Sequence, residues 1–227
     1  MKFRQSASKL YVFTFAILAV VVSSCGPSKP PVKELEYPPL STSALDPRYF
    51  HSAVGDLAGH FPNGWLLVNM ENLPDFSNVI FVYTDPAREN ALILSEIPGT
   101  AELRRNVERD GLPAIAQASF QLKLQKTTGK VEMTKQPEVF SLQSKLFSTY
   151  EYTSSDSSSG VTLQDRAADF TTGIRFYELA IVELRPNEVA QDTRKTENFR
   201  LLQTVLGGLE GVAEIRKLDS KAVEAAP

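Results

Sequence analysis

The sequence predicts an α+β domain: a curved antiparallel sheet with a mid-chain helix and a carboxy-terminal helix packed on it. Strand-like runs of β-branched and aromatic residues occur on both sides of one helical stretch, most clearly at 79–84 and 174–184. Apolar residues recur at helical spacing in two regions, about 101–125 and 193–206. Strands that are grouped, rather than alternating one by one with helices, are typical of α+β folds.

The first part of the domain is predicted to contain a hairpin. The stretch 50–60 has partly helical spacing but contains Gly55 and Gly59, so it is either a short irregular helix or an opening strand. The runs 79–84 and 91–97 are rich in β-branched, aromatic and aliphatic residues and are separated by a turn-forming segment, which predicts two paired strands.

The mid-chain helical stretch is predicted to be two segments. Thr100 is positioned to cap the first segment, 101–109, and the second segment covers 113–124. Gly111 and Pro113 separate the two, because glycine weakens a helix and proline cannot continue one.

The second half of the domain is predicted to be mainly strands. Two short strands are expected at 131–134 and 138–143, followed by a longer one at 145–153. Alternation at 161–171 predicts a half-exposed strand, whereas 174–184 is apolar on both faces and should lie in the middle of the sheet. The chain shows no internal repeat.

This order of elements, together with two local motifs, resembles PsbP-like domains. The motifs are the turn Phe61-Pro62-Asn63-Gly64-Trp65 and the late strand Phe176-Tyr177-Glu178-Leu179, which precedes a closing helix. The segment 72–76 before the strand at 79–82 is similar to the Ran-binding import factors that share this fold. The resemblance covers about 50–209 and implies a non-enzymatic binding or assembly role. It implies neither a photosystem nor Ran as partner, because no partner-specific residues match.

The amino terminus is typical of a secretory signal peptide. A thirteen-residue apolar run, 10–22, follows three basic residues, and it is shorter than the roughly 20 residues of a membrane-spanning helix. The run ends in Val22-Ser23-Ser24-Cys25, which resembles the lipobox of bacterial lipoproteins. The resemblance implies a diacylglyceryl thioether on Cys25, cleavage before it, and acylation of the new amino terminus. The alternative is a chance cysteine in an ordinary secretory signal.

These patterns predict four regions. They are a signal peptide at 1–24, a proline-rich tether at 25–47, a single α+β domain at 48–209 and a flexible tail at 210–227. The lipid bilayer, reached through the acylated Cys25, is the first predicted partner. Gly26 rather than aspartate follows the cysteine, which favours the outer membrane of a two-membrane host, facing periplasm or surface. In a one-membrane host the anchor would lie on the outer face of the plasma membrane.

Composition narrows the range of functions. The chain has 227 residues, 42% of them hydrophobic, which is enough for a packed core. Residues 25–227 retain 21 of the 24 basic residues and all 27 acidic residues, so their net charge is −6. An acidic chain without a basic stripe is not expected to bind nucleic acid. A single cysteine excludes a disulfide within the chain.

Three carboxylates on the late strands are candidates for acid–base chemistry. Asp165 and Asp169 lie four residues apart and therefore share one face of a strand; we interpret that face as solvated, with a glycosidase pair or a calcium site as the alternative. Glu178 lies among apolar residues and, if buried, needs a partner such as Arg175 or Arg166. A structural ion pair is favoured over a catalytic role.

Other candidate site residues are few. His51 and His60 are nine residues apart and lack metal-ligand spacing, so a surface or capping role is predicted, with no metal and no cofactor. Trp65 is a candidate partner anchor, although core packing is the favoured interpretation because apolar residues follow it. Tyr150 and Tyr152 share one strand face and are candidates for an exposed binding surface.

The sequence therefore predicts an extracytoplasmic, membrane-anchored lipoprotein that acts as a non-catalytic binding or assembly module with a protein partner. The alternative is a small extracytoplasmic hydrolase that uses the strand carboxylates; a solute-binding protein is disfavoured because it usually needs two larger lobes. A deep cleft that holds the carboxylates beside a histidine would favour an enzyme. A closed sheet with an exposed aromatic patch would favour a binding module.

Overall fold

A computed structural model describes residues 31–33, 41, 44–70, 78–127, 129–155, 162–184 and 191–213, the last range without the side chains of 191–195. The predicted signal peptide and Cys25 lie outside the described residues. Most of the predicted tether and residues 214–227 of the predicted tail also lie outside them.

The described chain forms ten strands and three helices. The strands are β1 (Val32–Lys33), β2 (Leu45–His51), β3 (Ala58–Pro62), β4 (Leu66–Leu67), β5 (Val79–Thr84), β6 (Asn90–Ile97), β7 (Lys130–Leu142), β8 (Lys145–Ser155), β9 (Thr162–Thr171) and β10 (Phe176–Glu183). The helices are α1 (Ala101–Asp110), α2 (Pro113–Lys126) and α3 (Gln191–Gly207).

Eight strands form one sheet in the order β1-β7-β8-β9-β10-β6-β5-β4, and β2 pairs with β3 in a separate hairpin. Every pair in the large sheet is antiparallel except β1–β7, which is parallel. The α+β class and the interior position of the strand at 174–184 are therefore confirmed. In this register, Glu178 of β10 lies opposite Asp169 of β9.

The sheet is covered on both faces. On one face, α3 and the β2–β3 hairpin pack against a large apolar core that includes Phe81, Leu94, Phe147, Phe170, Tyr177, Leu179, Leu202 and Leu206. On the other face, α1 and α2 pack against smaller groups that include Ile97, Leu103, Ile115, Val139, Tyr150, Ala167 and Ala180. Because strand residues alternate between faces, each interior strand supplies side chains to both layers.

The start and end of α1 follow the predicted local chemistry. Thr100 caps the helix, since its hydroxyl accepts a hydrogen bond of 3.1 Å from the Leu103 amide. Gly111, with a φ of 75°, ends α1, and Pro113 then occupies the first turn of α2, where its missing amide hydrogen is tolerated. The prediction of two helical segments is confirmed.

Three predicted elements differ from the structure. The stretch 50–60 forms the end of β2 and the start of β3, so the strand interpretation is correct and the helix is not. The two short strands predicted at 131–134 and 138–143 are one strand, β7, in which register shifts between Met133 and Glu138 accommodate Pro137. β9 is mostly buried rather than half-exposed, because helices cover both of its faces.

The described fold includes residues outside the predicted boundaries at 48 and 209. At its beginning, Val32–Lys33 of the predicted tether pairs with β7. At its end, the Glu210 amide donates to the Ala58 carbonyl at 2.8 Å, and the Ala213 amide donates to the Thr171 carbonyl at 2.8 Å. Short backbone pairings therefore attach both flanking segments to the domain.

Candidate functional site

A buried carboxylate cluster, formed by Asp165, Asp169 and Glu178, lies between the sheet and α2. The three side chains share one face because Asp169 is directly opposite Glu178 and four residues from Asp165. They are 5%, 0% and 3% exposed, respectively. The interpretation of Asp165 and Asp169 as a solvated outer face is wrong, because α2 covers that face.

Glu178 receives three hydrogen bonds. The Tyr150 hydroxyl donates to Glu178 Oε2 at 2.7 Å, and the Ser119 hydroxyl donates to the same oxygen. The Lys123 ammonium donates to Oε1 and forms an ion pair with the carboxylate. Ser119 and Lys123 are four residues apart on α2 and therefore point toward the same part of the sheet.

The predicted structural ion pair exists, but its predicted partners were wrong. Arg175 instead pairs with Glu96, with N–O distances of 2.5 and 2.6 Å. Arg166 pairs with Glu151 on β8 and lies on the opposite sheet face from Asp165, as alternation requires. Its guanidinium carbon is 3.8 Å from the centroid of the Phe199 ring, so it packs against α3.

Glu178 and Asp169 hold opposite protonation states at neutral pH. Burial raises the pKa of Glu178, but the charge and hydrogen bond of Lys123 outweigh it, with help from Ser119 and Tyr150, so the pKa is lowered and the group is ionised. Burial and the neighbouring Glu178 charge raise the pKa of Asp169 well above its ordinary value, so this carboxyl is protonated. Neither Asp169 oxygen has a hydrogen-bond partner among the described residues.

Asp165 lies at the edge of the cluster, and its protonation state is intermediate between those of Glu178 and Asp169. Burial raises its pKa to about 7, although the Glu183 amide and the Ser154 hydroxyl both donate to it at 3.2 Å. Tyr152 lies opposite Asp165 in the register, and burial also raises the pKa of that phenol. Asp165 is therefore the cluster member whose charge changes near neutral pH.

In this conformation the carboxylate cluster is not accessible to a substrate. A surface groove of about 440 Å³ runs along α1 and α2 and is lined by residues that include Asn106, Arg109, Gln117, Gln121 and Met133, but by none of the three carboxylates. The two histidines lie on the β2–β3 hairpin, which covers the other face of the sheet. Among the residues that the structure describes, no group of three or more His, Cys, Asp or Glu side chains is arranged to hold a metal ion.

A ring patch, formed by the exposed Tyr49 and His51 and the half-buried His60, lies on the outer face of the β2–β3 hairpin. Tyr49 lies opposite His60, with ring centroids 4.0 Å apart, and its centroid is 6.4 Å from that of His51. The Nδ1 of His60 donates to the Asp46 carbonyl at 2.8 Å, which fixes the orientation of that ring. Tyr49 is 50% exposed, so the patch presents aromatic surface to solvent.

The predicted binding-surface residues have different environments. Trp65 is half-buried and packs against the large core, while the following Leu66 and Leu67 on the sheet edge are exposed. Tyr150 and Tyr152 are buried beneath α2, with the Phe120 ring packed against both. The prediction of an exposed surface at these two tyrosines is wrong, because their shared strand face is the one that α2 covers.

Sequence reasoning missed Lys123, Ser119 and Tyr49. Lys123 and Ser119 carry a usable signal, since they continue the buried face of α2 that contains Ala116. Tyr49 and His51 also carry one, because residues two apart on a strand share a face. That signal required β2 to be identified as a strand.

Within the described part of the chain, no helix has the length and apolar character needed to cross a membrane. No protein-family model matches the sequence, and comparison with curated proteins finds no relative.

The solved structures that are similar to this chain include two from different organisms. Cyanobacterial PsbP (CyanoP) from Synechocystis sp. PCC 6803 is 20% identical with a TM-score of 0.49, and the match covers 75% of this chain and 94% of that one. The Ran-binding protein Mog1p from Saccharomyces cerevisiae is 14% identical with a TM-score of 0.45, covering 77% and 98%. Since both TM-scores are below 0.5, the function proposed below depends on this chain's own residues.

Proposed function

We propose that the protein is an extracytoplasmic lipoprotein, held on a membrane through the acylated Cys25, whose domain acts as a non-catalytic binding or assembly module. The observation that supports the binding role is the contrast between its two groups of functional side chains. The three carboxylates are buried, whereas in the ring patch Tyr49 and His51 are exposed and His60 is half-buried.

Burial argues against acid–base catalysis by the cluster. A general acid or base must come within about 3 Å of the substrate proton, directly or through one water. Glu178 instead uses its oxygens to accept hydrogen bonds from Tyr150, Ser119 and Lys123. A carboxylate with this many internal donors stabilises the contact between α2 and the sheet.

Exposure of the ring patch supports protein binding. Aromatic side chains lose little conformational entropy on binding and are enriched in protein–protein interfaces. The Tyr49 and His60 rings already contact each other, and the latter is held by the Asp46 carbonyl, so the surface is preorganised. The partner is therefore expected to be a protein that buries aromatic rings.

The anchoring role depends on Cys25. Two or three acyl chains give stable membrane attachment, whereas one chain gives only marginal attachment. Gly26 after the cysteine favours the outer membrane in a two-membrane host. Expression of the full chain and its Cys25→Ala variant, followed by membrane fractionation and mass spectrometry, tests this assignment. The variant should lose the lipid mass and leave the membrane fraction; an unchanged mass and location would refute lipidation.

The binding role has a separate test. A photo-crosslinking residue at position 49 should capture a discrete partner in cells, and the His51→Ala substitution should reduce that capture at least threefold. The matched control places the same residue at Leu124, which is also exposed but lies on α2 at the opposite face of the domain. Equal capture from both positions would contradict a specific surface at the ring patch.

One observation favours the alternative, a small extracytoplasmic hydrolase. A carboxyl whose pKa is about 7, as in Asp165, is poised for acid–base work at neutral pH. Substrate would reach it only if α2 moved away from the sheet. If the protein is a binding module, crosslinking α2 to the sheet should leave partner capture from position 49 unchanged. If it is such a hydrolase, the same crosslink should abolish hydrolysis.

A further inference from the structure

One edge of the large sheet is closed by a very short strand. β1 consists of Val32 and Lys33, which pair in parallel with Val139 and Phe140 near the end of β7. The Lys33 ammonium forms an ion pair with Glu138 at 2.5 Å. The hydrogen bond from Lys33 is the largest factor that lowers the pKa of Glu138, although burial opposes it.

The pairing of β1 with this edge is only weakly stabilised. Val32 is 53% exposed and the Lys33 side chain is 57% exposed, so little apolar surface is buried. A surface ion pair contributes about 0–1 kcal/mol. Pairings of this kind open far more often than the core of a domain unfolds.

The two halves of β7 differ in how their outer edge is protected. The first half carries exposed charged residues and the register shifts between Met133 and Glu138, features that discourage pairing with another strand. The second half contains the buried residues Val139, Phe140 and Leu142 and is where β1 binds. The regular, apolar part of the edge is therefore the part that can pair with another strand, and β1 occupies it.

We propose that the β7 edge at 138–142 is a strand-acceptor site for an extended segment of a partner protein. The segment carries an apolar residue followed by a basic residue, and it displaces β1 from the edge. This inference goes beyond the binding function proposed for the ring patch, because it assigns a second binding site and the chemistry of the segment that the site takes. Backbone hydrogen bonds to the edge supply affinity. Glu138 selects the basic residue, as its ion pair with Lys33 of the same chain shows.

Displacement of β1 would also increase the maximum distance between the lipid and the domain. Six residues separate Cys25 from Val32, which limits the distance between the lipid and this edge to about 25 Å. Once β1 leaves, nineteen residues separate Cys25 from Leu45, and the limit becomes about 70 Å. Partner binding at this edge would therefore free the domain to move away from the membrane.

A peptide experiment tests the acceptor site. The probe is a fluorescent peptide with the sequence of residues 28–36, Ser-Lys-Pro-Pro-Val-Lys-Glu-Leu-Glu, titrated with the full chain in detergent and followed by anisotropy. The Lys33→Glu substitution places two carboxylates together and should release β1, so the peptide should bind this variant at least tenfold more tightly than the unaltered chain. The Lys130→Glu variant has the same charge change at the start of β7, away from β1, and should bind like the unaltered chain.

A charge swap completes the test. Adding Glu138→Lys to the Lys33→Glu variant restores the opposite-charge pair, so β1 should rebind and the gain in peptide affinity should disappear. If the Lys33→Glu variant binds no peptide, or if Lys130→Glu gives the same gain, the acceptor site is refuted. Either result would leave capture at Tyr49 unaffected, so failure of this inference is distinguishable from failure of the proposed function.

Discussion

Lys123 on α2 forms an ion pair with Glu178 on β10, and this contact joins a helix to the middle of the sheet across 55 residues of chain. Glu178 is 3% exposed, so its charge is tolerated because Lys123, Ser119 and Tyr150 all donate to it. The neighbouring Asp169 cannot share this arrangement and remains protonated. While Asp165 is also protonated, below its pKa of about 7, the cluster therefore carries one buried negative charge with one matching positive charge.

Replacing Lys123 with methionine should destabilise the domain strongly. The substitution keeps the aliphatic bulk but leaves Glu178 as an unpaired buried charge, which typically costs about 3–5 kcal/mol. Urea unfolding monitored by circular dichroism would measure the loss. The matched control is Lys123→Met combined with Glu178→Gln, which removes both charges and should recover most of the stability. Equal losses in the single and double variants would show that the unpaired charge is not the cause.

Asp165 should make the domain less stable as pH rises toward neutrality. Its folded-state pKa, about 7, is above its unfolded value, so the folded protein holds a proton that the unfolded chain has already released. This contribution is fully present below about pH 4 and is lost as pH rises through 7. Asp165→Asn cannot ionise, so its unfolding free energy relative to the unaltered protein should increase between pH 5 and pH 8. A difference that is constant with pH would contradict the raised pKa.

Asp56 should have the opposite pH dependence. It lies in the turn of the β2–β3 hairpin and accepts hydrogen bonds from Ser52 at 2.6 Å, Tyr177 at 2.7 Å and Thr172 at 2.8 Å. Burial raises its pKa, but these donors outweigh the effect, and the pKa is lowered. Because the folded pKa is below the unfolded value, the stabilisation is present above about pH 4 and is lost as pH falls through the folded pKa.

The test of this contact is Asp56→Asn. The substitution weakens charge-assisted hydrogen bonds to the sheet and should cost about 1.5–3 kcal/mol at pH 6, with a smaller difference at pH 3. Asp110→Asn is the matched control, because Asp110 pairs with Arg109 on the surface and should show no measurable change. An equal effect at both pH values would indicate that the charge of Asp56 is not involved.

The sequence predicted individual elements better than the way they pack. Thr100, Gly111 and Pro113 fix the helix boundaries through local backbone chemistry, so α1 and α2 were predictable to within two residues. Alternation correctly placed Asp165 and Asp169 on one face, but a strand pattern does not say what covers that face.

The carboxylate cluster could not be predicted for the same reason, because a local pattern does not specify which distant segments pack together. Lys123 and Glu178 meet only because α2 folds back over β10, a long-range contact that neither segment specifies alone. Tyr150 and Tyr152 were expected at the surface for the same reason, since their pattern is that of any amphipathic strand. Tyr49 was missed because the glycines at 55 and 59 obscured the strand that carries it.

Gly211 should be intolerant of a side chain. Its φ is +90°, and a Cβ atom there would lie 2.1 Å from the Asp56 carbonyl oxygen, because this segment runs directly against the β2–β3 turn. Gly173 has a similar φ of +84° but nothing within 4 Å of its Cβ position. Gly173→Ala should therefore cost only the backbone strain, about 1–3 kcal/mol, and Gly211→Ala should cost at least about 2 kcal/mol more because of the backbone clash. Thermal unfolding of both variants measures the difference. If the two variants melt together, the segment at 210–213 is not held against the hairpin, and the domain ends where the sequence pattern placed its boundary.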